Sequence, residues 1–279
     1  MNKNEEGLQS DAIPSKWLFL FLLIVFGLAW SLFALFVLVT DWVVGTFGEL
    51  SGSHPLFILA VYAPAIAALL LIGFTAGWSG IGQFLSRLSL WRASPWWYVF
   101  LLLGFPIISF AGAVLKGNAM TAPMFTESVA ALLPLIAFMP VLGPVEEIGW
   151  RGFALPILQR WLVPFWAGLV LGVIWAVWHL PAFLMSGTPQ TAWGFTPFFA
   201  GSVACSVILT SLFNNARGSI LLAMLFHFQM NNPLWPDAQP YDMYFYIAAA
   251  VIIVWLNRGL LFSKAGAVTE VVPTPSGPT

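Results

Sequence analysis

Long apolar runs separated by short polar connections dominate the chain from Trp17 to Arg258. About 20 apolar residues cross the hydrocarbon core of a bilayer, so most of these runs are long enough to be membrane-spanning helices. The pattern predicts eight helices, at residues 17–39, 55–77, 95–115, 128–158, 164–184, 195–214, 218–235 and 241–258. The fourth is too long for one straight crossing, and Pro134, Pro140 and Pro144 predict a kink or break within it.

Composition supports the same class. The chain is 60% hydrophobic and 8% charged, whereas soluble domains average about 45–50% apolar and about 25% charged residues. We therefore predict an all-α, polytopic integral membrane protein in contact with membrane lipids. The first run, 17–39, is too long for the apolar region of a signal peptide and should remain as a helix. The single cysteine, Cys205, excludes an intrachain disulfide, and a net charge of −1 gives no indication of a nucleic-acid partner.

The positions of Lys and Arg predict the orientation of the bundle. Of the 10 such residues, eight fall in alternate connections, Lys116 falls in an opposite connection, and Arg151 lies within the fourth predicted span. Positive charge is retained on the cytoplasmic side, so both termini should be cytoplasmic, and we expect the plasma (inner) membrane. The predicted segments are a cytoplasmic tail at 1–16, three spans within 17–120, the remaining spans within 121–260 and a disordered tail at 261–279.

Three charged residues lie close together in the fourth predicted span: Glu146, Glu147 and Arg151. A charged side chain in hydrocarbon is costly unless it is paired or faces a polar cavity, so intramembrane charge indicates a functional site. Four-residue spacing places Glu147 within reach of Arg151 on a helix. Glu146 projects in another direction and is left without that partner.

Two of the three histidines also lie in predicted spans. His179 is in the fifth, while His227 is in the seventh, one helical turn before Asn231. Counted from the cytoplasmic ends of their helices at 1.5 Å per residue, Glu146, His179 and Asn231 lie about 21 Å deep and His227 about 15 Å. The sequence thus predicts one shared layer on three helices. His54 falls in a predicted outer loop, where we expect an ordinary solvated side chain.

The residue types in this layer indicate a hydrolytic chemistry. A buried carboxylate can act as a general base or acid, and a neighbouring histidine can share a proton or bind a metal. A second histidine and an asparagine can donate hydrogen bonds to a developing oxyanion. Because the set contains no Ser or Cys nucleophile, activation of water and hydrolysis of an amide are the natural reaction.

These strings resemble the signatures of the CAAX-protease and bacteriocin-processing (CPBP, or abortive-infection) family of intramembrane endopeptidases, which includes the Ras-converting CAAX prenyl proteases. The signature E-E-x-x-x-R matches residues 146–151, and H-x-x-x-N matches residues 227–231. The signature F-x-x-x-H matches residues 175–179, except that Trp175 occupies the phenylalanine position. The segment before about residue 120 carries no signature and resembles only a generic bundle.

The resemblance implies an endopeptidase that cuts a membrane-associated protein or peptide, with its catalytic helices within 121–260. The implied roles are water activation by Glu146 and His179, oxyanion stabilisation by His227 and Asn231, and a structural or orienting pair formed by Glu147 and Arg151.

The residues leave metal dependence open. If zinc is used, Glu146, His179 and His227 could supply three ligands with water in the fourth position. If it is not, the enzyme would be a glutamate-dependent hydrolase. An H-E-x-x-H helix, the common metalloprotease arrangement, is absent from the sequence.

Two alternatives remain. A proton-coupled membrane transporter would also place Glu, His and Arg inside spans, although no paired discontinuous helices in symmetric halves are evident. Within the resembled family, a non-proteolytic immunity or scaffold protein could carry the same residues.

Overall fold

The computed structural model describes residues 13–273. Within this range the chain forms helices and connections without a β-strand, which confirms the all-α class. The α-helices are α1 (Trp17–Leu38), α2 (Thr40–Phe47), α3 (Pro55–Val61), α4 (Ala63–Leu85), α5 (Pro95–Val99), α6 (Phe105–Lys116), α7 (Pro123–Thr126), α8 (Val129–Phe138), α9 (Glu146–Gly149), α10 (Leu155–Trp161), α11 (Pro164–Trp178), α12 (Phe195–Asn215), α13 (Ile220–Met230), α14 (Asp242–Leu256) and α15 (Arg258–Leu261). Two π-helical segments, Phe100–Gly104 and Trp150–Ala154, and 3₁₀ turns at Ser86–Ser89, Ala119–Thr121, Met139–Val141, Leu180–Leu184, Pro189–Ala192 and Lys264–Gly266 complete the helical structure.

Six helical segments of the described chain are long and apolar enough to cross a membrane: Trp17–Leu38, Ala63–Ser89, Pro95–Lys116, Val129–Trp161, Pro164–Leu184 and Phe195–Asn215. Two shorter apolar helices, α13 and α14, follow them. The protein is therefore an integral, multi-pass membrane protein. The total of eight crossings and the cytoplasmic termini stay predictions, and residues 1–12 of the predicted N-terminal tail lie outside the described residues.

Several helices end elsewhere than predicted. The second predicted helix is divided into α3 and α4, and α4 continues to Leu85 across a kink at Gly77, whose φ is 63°. The seventh, α13, ends at Met230 because the following Asn-Asn-Pro sequence cannot continue a helix.

The predicted break in the fourth span is present and determines where the two glutamates lie. Helix α8 ends at Phe138, and after the 3₁₀ turn Leu142 adopts non-helical φ and ψ of −97° and −93°. The helix restarts at Glu146, so Glu146 and Glu147 occupy the first turn of α9. Carboxylates are favoured at this end of a helix because its unpaired N–H groups and dipole are positive.

Close helix contacts assemble the bundle around these elements. The Ser206 hydroxyl on α12 donates to the Gly168 carbonyl on α11 at 2.8 Å. A Cβ added at Gly172 would lie 2.8 Å from the Cβ of Ser206, so the two backbones approach as only small residues allow. One continuous hydrophobic cluster contains residues from both 17–120 and 121–260, and these two groups of helices therefore pack as one body.

The C-terminal segment, predicted to be disordered over 261–279, packs against the bundle as far as residue 273. The Gln159 side-chain amide donates to the Val268 carbonyl at 2.7 Å, and the Val268 N–H donates to Asn214 Oδ1 at 2.8 Å. Buried amides require hydrogen-bond partners, and the segment supplies them from its backbone, which composition alone does not reveal. Residues 274–279 lie outside the described residues.

Candidate active site

A buried, hydrogen-bonded triad forms one side of the candidate site. Glu147 and Arg151 are both completely buried, and Nη1 of Arg151 lies 3.0 Å from the Glu147 carboxylate, as the four-residue spacing predicts. Nδ1 of His227 lies 2.7 Å from Oε1 of the same carboxylate. The Glu147–His227 contact was not predicted, because 80 residues separate the partners and only the packing of α13 against α9 joins them.

Glu146 has a different partner. The Trp175 indole N–H donates to Glu146 Oε2 at 2.9 Å, and the two residues are 2% and 3% exposed, respectively. Oε1 of Glu146 makes no hydrogen bond to any residue between 13 and 273. One oxygen of this carboxylate is thus held by the protein, and the other is available to a reactant.

Trp175 also contacts Arg151 and the two histidines of the site. The Arg151 guanidinium lies over its ring, 4.8 Å from the centroid. The rings of His179 and His227 pack edge-on to it with centroid distances of 5.4 and 5.5 Å. From the sequence, Trp175 only replaces the phenylalanine of the F-x-x-x-H signature, so the indole hydrogen bond is a feature that sequence reasoning missed.

His179 stands at the end of α11, where it is the C-cap residue and half-buried. Its Nδ1 lies 2.8 Å from the carbonyl oxygen of Trp175. A carbonyl only accepts hydrogen bonds, so Nδ1 carries the proton and Nε2 of the neutral ring is left as an acceptor. The ring of Trp178 packs edge-on against the imidazole, with a centroid distance of 4.8 Å.

Asn231 is the C-cap residue of α13, exposed, and directly beyond the turn that carries His227. Gly143, in the break before α9, lies close to both side chains. A Cβ built on Gly143 would lie 2.3 Å from Asn231 Nδ2 and 2.9 Å from His227 Nε2. The structure therefore brings these two nitrogen atoms to one place beside the start of α9.

Comparison with known proteins adds to this geometry. Residues 128–232 match the family described as type II CAAX prenyl endopeptidase, Rce1-like. This range contains all six candidate residues, and over it the chain is similar to the CAAX prenyl endopeptidases.

One relative shows how far the likeness extends. CAAX prenyl protease 2 of Methanococcus maripaludis is 29% identical to this chain over 147 residues. The match covers 48% of this chain and 54% of the relative, so it spans about half the length of that protein.

Among residues 13–273, no group of three or more His, Cys, Asp or Glu side chains is arranged to hold a metal ion. Hydrogen bonds occupy Glu146 Oε2, His179 Nδ1 and His227 Nδ1. A histidine that binds a metal through one ring nitrogen ordinarily donates from the other, so these bonds are compatible with the zinc ligands considered from the sequence. Zinc dependence stays a prediction, and we assign no catalytic step to the metal.

The third histidine has a structural position. His54 is 4% exposed and caps α3, where its Nδ1 accepts from the Leu56 N–H at 3.2 Å. Its ring packs edge-on against Phe36 at 5.1 Å. The prediction of a solvated histidine was wrong, because the residue before a proline at N1 is a favoured capping position.

Proposed function

We propose that this protein is an intramembrane endopeptidase of the CAAX type, which hydrolyses a peptide bond in a membrane-associated protein or peptide. The observation that carries the proposal is the common attachment of Glu146 and His179 to Trp175, beside the nitrogen atoms of His227 and Asn231. A base and a pair of hydrogen-bond donors are the two elements that amide hydrolysis by water requires.

Water activation falls to Glu146 and His179. Oε1 of Glu146 and Nε2 of His179 can both accept a hydrogen bond or a proton from water, because the bonds to Trp175 use the other oxygen and the other nitrogen. One of them takes a proton from water while the water oxygen forms a bond to the scissile carbonyl carbon. The same proton then passes to the leaving nitrogen as the C–N bond breaks, so the products are a carboxylic acid and an amine.

Oxyanion stabilisation falls to the other two residues. The carbonyl oxygen becomes negative when water adds, and the Asn231 amide can donate to it without a change in protonation. His227 presents Nε2 toward the same place, and Nε2 donates when the ring carries both protons. Glu147 holds His227 through Nδ1, and Arg151 holds Glu147, so this pair orients the donors without contacting substrate.

The name of the matched relative supports a substrate class. The relative is named CAAX prenyl protease 2, and we propose that this chain cuts prenylated C-terminal peptides. A lipid-anchored tail would approach through the bilayer, which suits a site carried on membrane helices. Location in the plasma (inner) membrane stays a prediction.

The test is cleavage of a fluorogenic prenylated C-terminal peptide by the purified protein in liposomes. Glu146→Ala should reduce kcat by about 1,000-fold or more, as expected for loss of a general base together with its orientation of water. The matched control is Glu127→Gln, which removes an exposed carboxylate and should leave the rate unchanged. Undiminished turnover by Glu146→Ala would refute the proposal, and proton-driven uptake lost in that variant would favour the transporter alternative.

Metal dependence is tested with the same assay. For a glutamate-dependent hydrolase, chelators should change the rate by less than about twofold, and the pure protein should contain zinc far below one equivalent. Activity that disappears with a chelator and returns with zinc would show that the metal has an essential role.

A further inference from the structure

We propose that Trp175 is a positioning residue that orients both water-activating groups at once. The inference rests on the proposed function, since it concerns how Glu146 and His179 are held. The indole N–H of Trp175 binds one oxygen of Glu146, and the backbone carbonyl of Trp175 binds Nδ1 of His179. One residue therefore sets the geometry of two groups that come from different helices.

The first contact selects which oxygen of the carboxylate reacts. The N–H of Trp175 donates to Oε2 at 2.9 Å inside a buried environment, where a hydrogen bond to a charged group is strong. With Oε2 held, the carboxylate cannot rotate freely and Oε1 is directed away from the indole. Such restriction lowers the entropic cost of reaching a reactive arrangement with water.

The second contact selects the tautomer of His179. Since the Trp175 carbonyl can only accept, the proton of the neutral ring lies on Nδ1 and the lone pair on Nε2. The indole and the carbonyl belong to the same residue, so the separation between Glu146 and His179 is determined by the rigid Trp175 side chain and its own helical turn.

The indole N–H distinguishes this role from simple filling of space. The F-x-x-x-H signature has phenylalanine at this position, and a phenyl ring cannot donate a hydrogen bond to Glu146. Trp178 provides an internal comparison, because it is also buried and also packs on His179. Its indole N–H, however, has no hydrogen-bond partner within residues 13–273.

The experiment compares Trp175→Phe with Trp178→Phe in the liposome cleavage assay. Loss of a hydrogen bond to a charged group predicts a fall in kcat of about 10- to 100-fold for Trp175→Phe. KM should change by less than about twofold, because Trp175 does not bind substrate. Trp178→Phe should change both constants by less than about threefold. A Trp175→Phe enzyme with the kcat of the wild type, or equal losses in both variants, would overturn the inference.

A second comparison separates positioning from general damage to the fold. In a Glu146→Asp background the shorter carboxylate no longer reaches the indole, so adding Trp175→Phe should change kcat by less than about twofold. A further loss as large as in the wild-type background would show a purely structural role. If Trp175→Phe does not fold, benzothienylalanine at position 175 keeps the bicyclic shape without the N–H and should show the same fall in kcat.

The outcomes also separate this inference from the proposed function. An inactive Glu146→Ala variant together with a fully active Trp175→Phe variant leaves the endopeptidase assignment standing and removes the role of Trp175. A fully active Glu146→Ala variant removes both.

Discussion

Gly143→Ala perturbs the proposed oxyanion donors without altering any of their side chains. Gly143 lies in the non-helical break before α9, and an added Cβ would lie 2.3 Å from Asn231 Nδ2 and 2.9 Å from His227 Nε2. Carbon and nitrogen atoms that are not bonded prefer a separation of about 3.5 Å. The new methyl group and the two donors cannot keep their present positions.

The two donors differ in their freedom to move. His227 is held at Nδ1 by Glu147 at 2.7 Å, whereas Asn231 is exposed and its amide is the end of a flexible side chain. We therefore expect Asn231 to be displaced, by about 1 Å, the difference between the clash distance and a normal contact. The cost in stability should be small, since an exposed amide can rotate away, but a misplacement of about 1 Å can lower a rate by about 100-fold.

The assay is steady-state cleavage of the prenylated peptide in liposomes, with thermal unfolding measured on the same preparation. Gly143→Ala should lower kcat by about 100-fold and shift Tm by only a few degrees, about what 1 kcal/mol produces. Gly27→Ala is the matched control, because a Cβ at Gly27 meets nothing within 4 Å. Activity of Gly143→Ala equal to that of Gly27→Ala would refute the reasoning about these donors.

Two further predictions concern stability. Glu147→Ala leaves Arg151 charged, buried and unpaired, and should lower the free energy of unfolding by about 3–5 kcal/mol. As the control, Asp237→Ala breaks the partly exposed Lys116–Asp237 pair and should cost less than about 1 kcal/mol. Equal losses for the two variants in equilibrium unfolding would contradict the assignment of a buried triad. Asn214→Ala removes the acceptor of the Val268 N–H and should lower the free energy of unfolding by about 1–3 kcal/mol. It should also accelerate proteolysis of the C-terminal segment. An unchanged digestion pattern would show that this contact does not hold the segment against the bundle.

Features of this protein that depend only on residues close together in the sequence could be predicted. Run length is sufficient to identify the membrane class, because the apolar helices must match the bilayer. The Glu147–Arg151 pair follows from four-residue spacing, and the interruption at Pro140 and Pro144 follows from the lost N–H and the ring clash of proline. Each of these expectations needs only a few consecutive residues.

Contacts between helices could not be predicted in this way. The bond between Glu147 and His227 joins residues 80 positions apart, and that between Trp175 and Glu146 joins residues 29 positions apart. Both depend on the angle and rotation of packed helices, which the hydrophobic periodicity of the sequence does not predict. The sequence places Asn231 inside a helix, whereas the structure ends α13 one residue earlier.

The ends of the helices explain why the polar groups are tolerated in so apolar a chain. Glu146 begins α9, His179 caps the end of α11, and Asn231 caps the end of α13. Backbone N–H and C=O groups are unpaired at such ends, and irregular backbone at membrane depth is tolerated only where protein or a water-filled cavity surrounds it. In a continuous helix the backbone groups are paired with one another, whereas an interrupted helix directs both side chains and free backbone groups to one place.

Replacing Gly143 and Pro144 with alanine together should straighten the break. The glutamates would then move away from the first turn of α9, so the variant should lose cleavage even if it still inserts and folds.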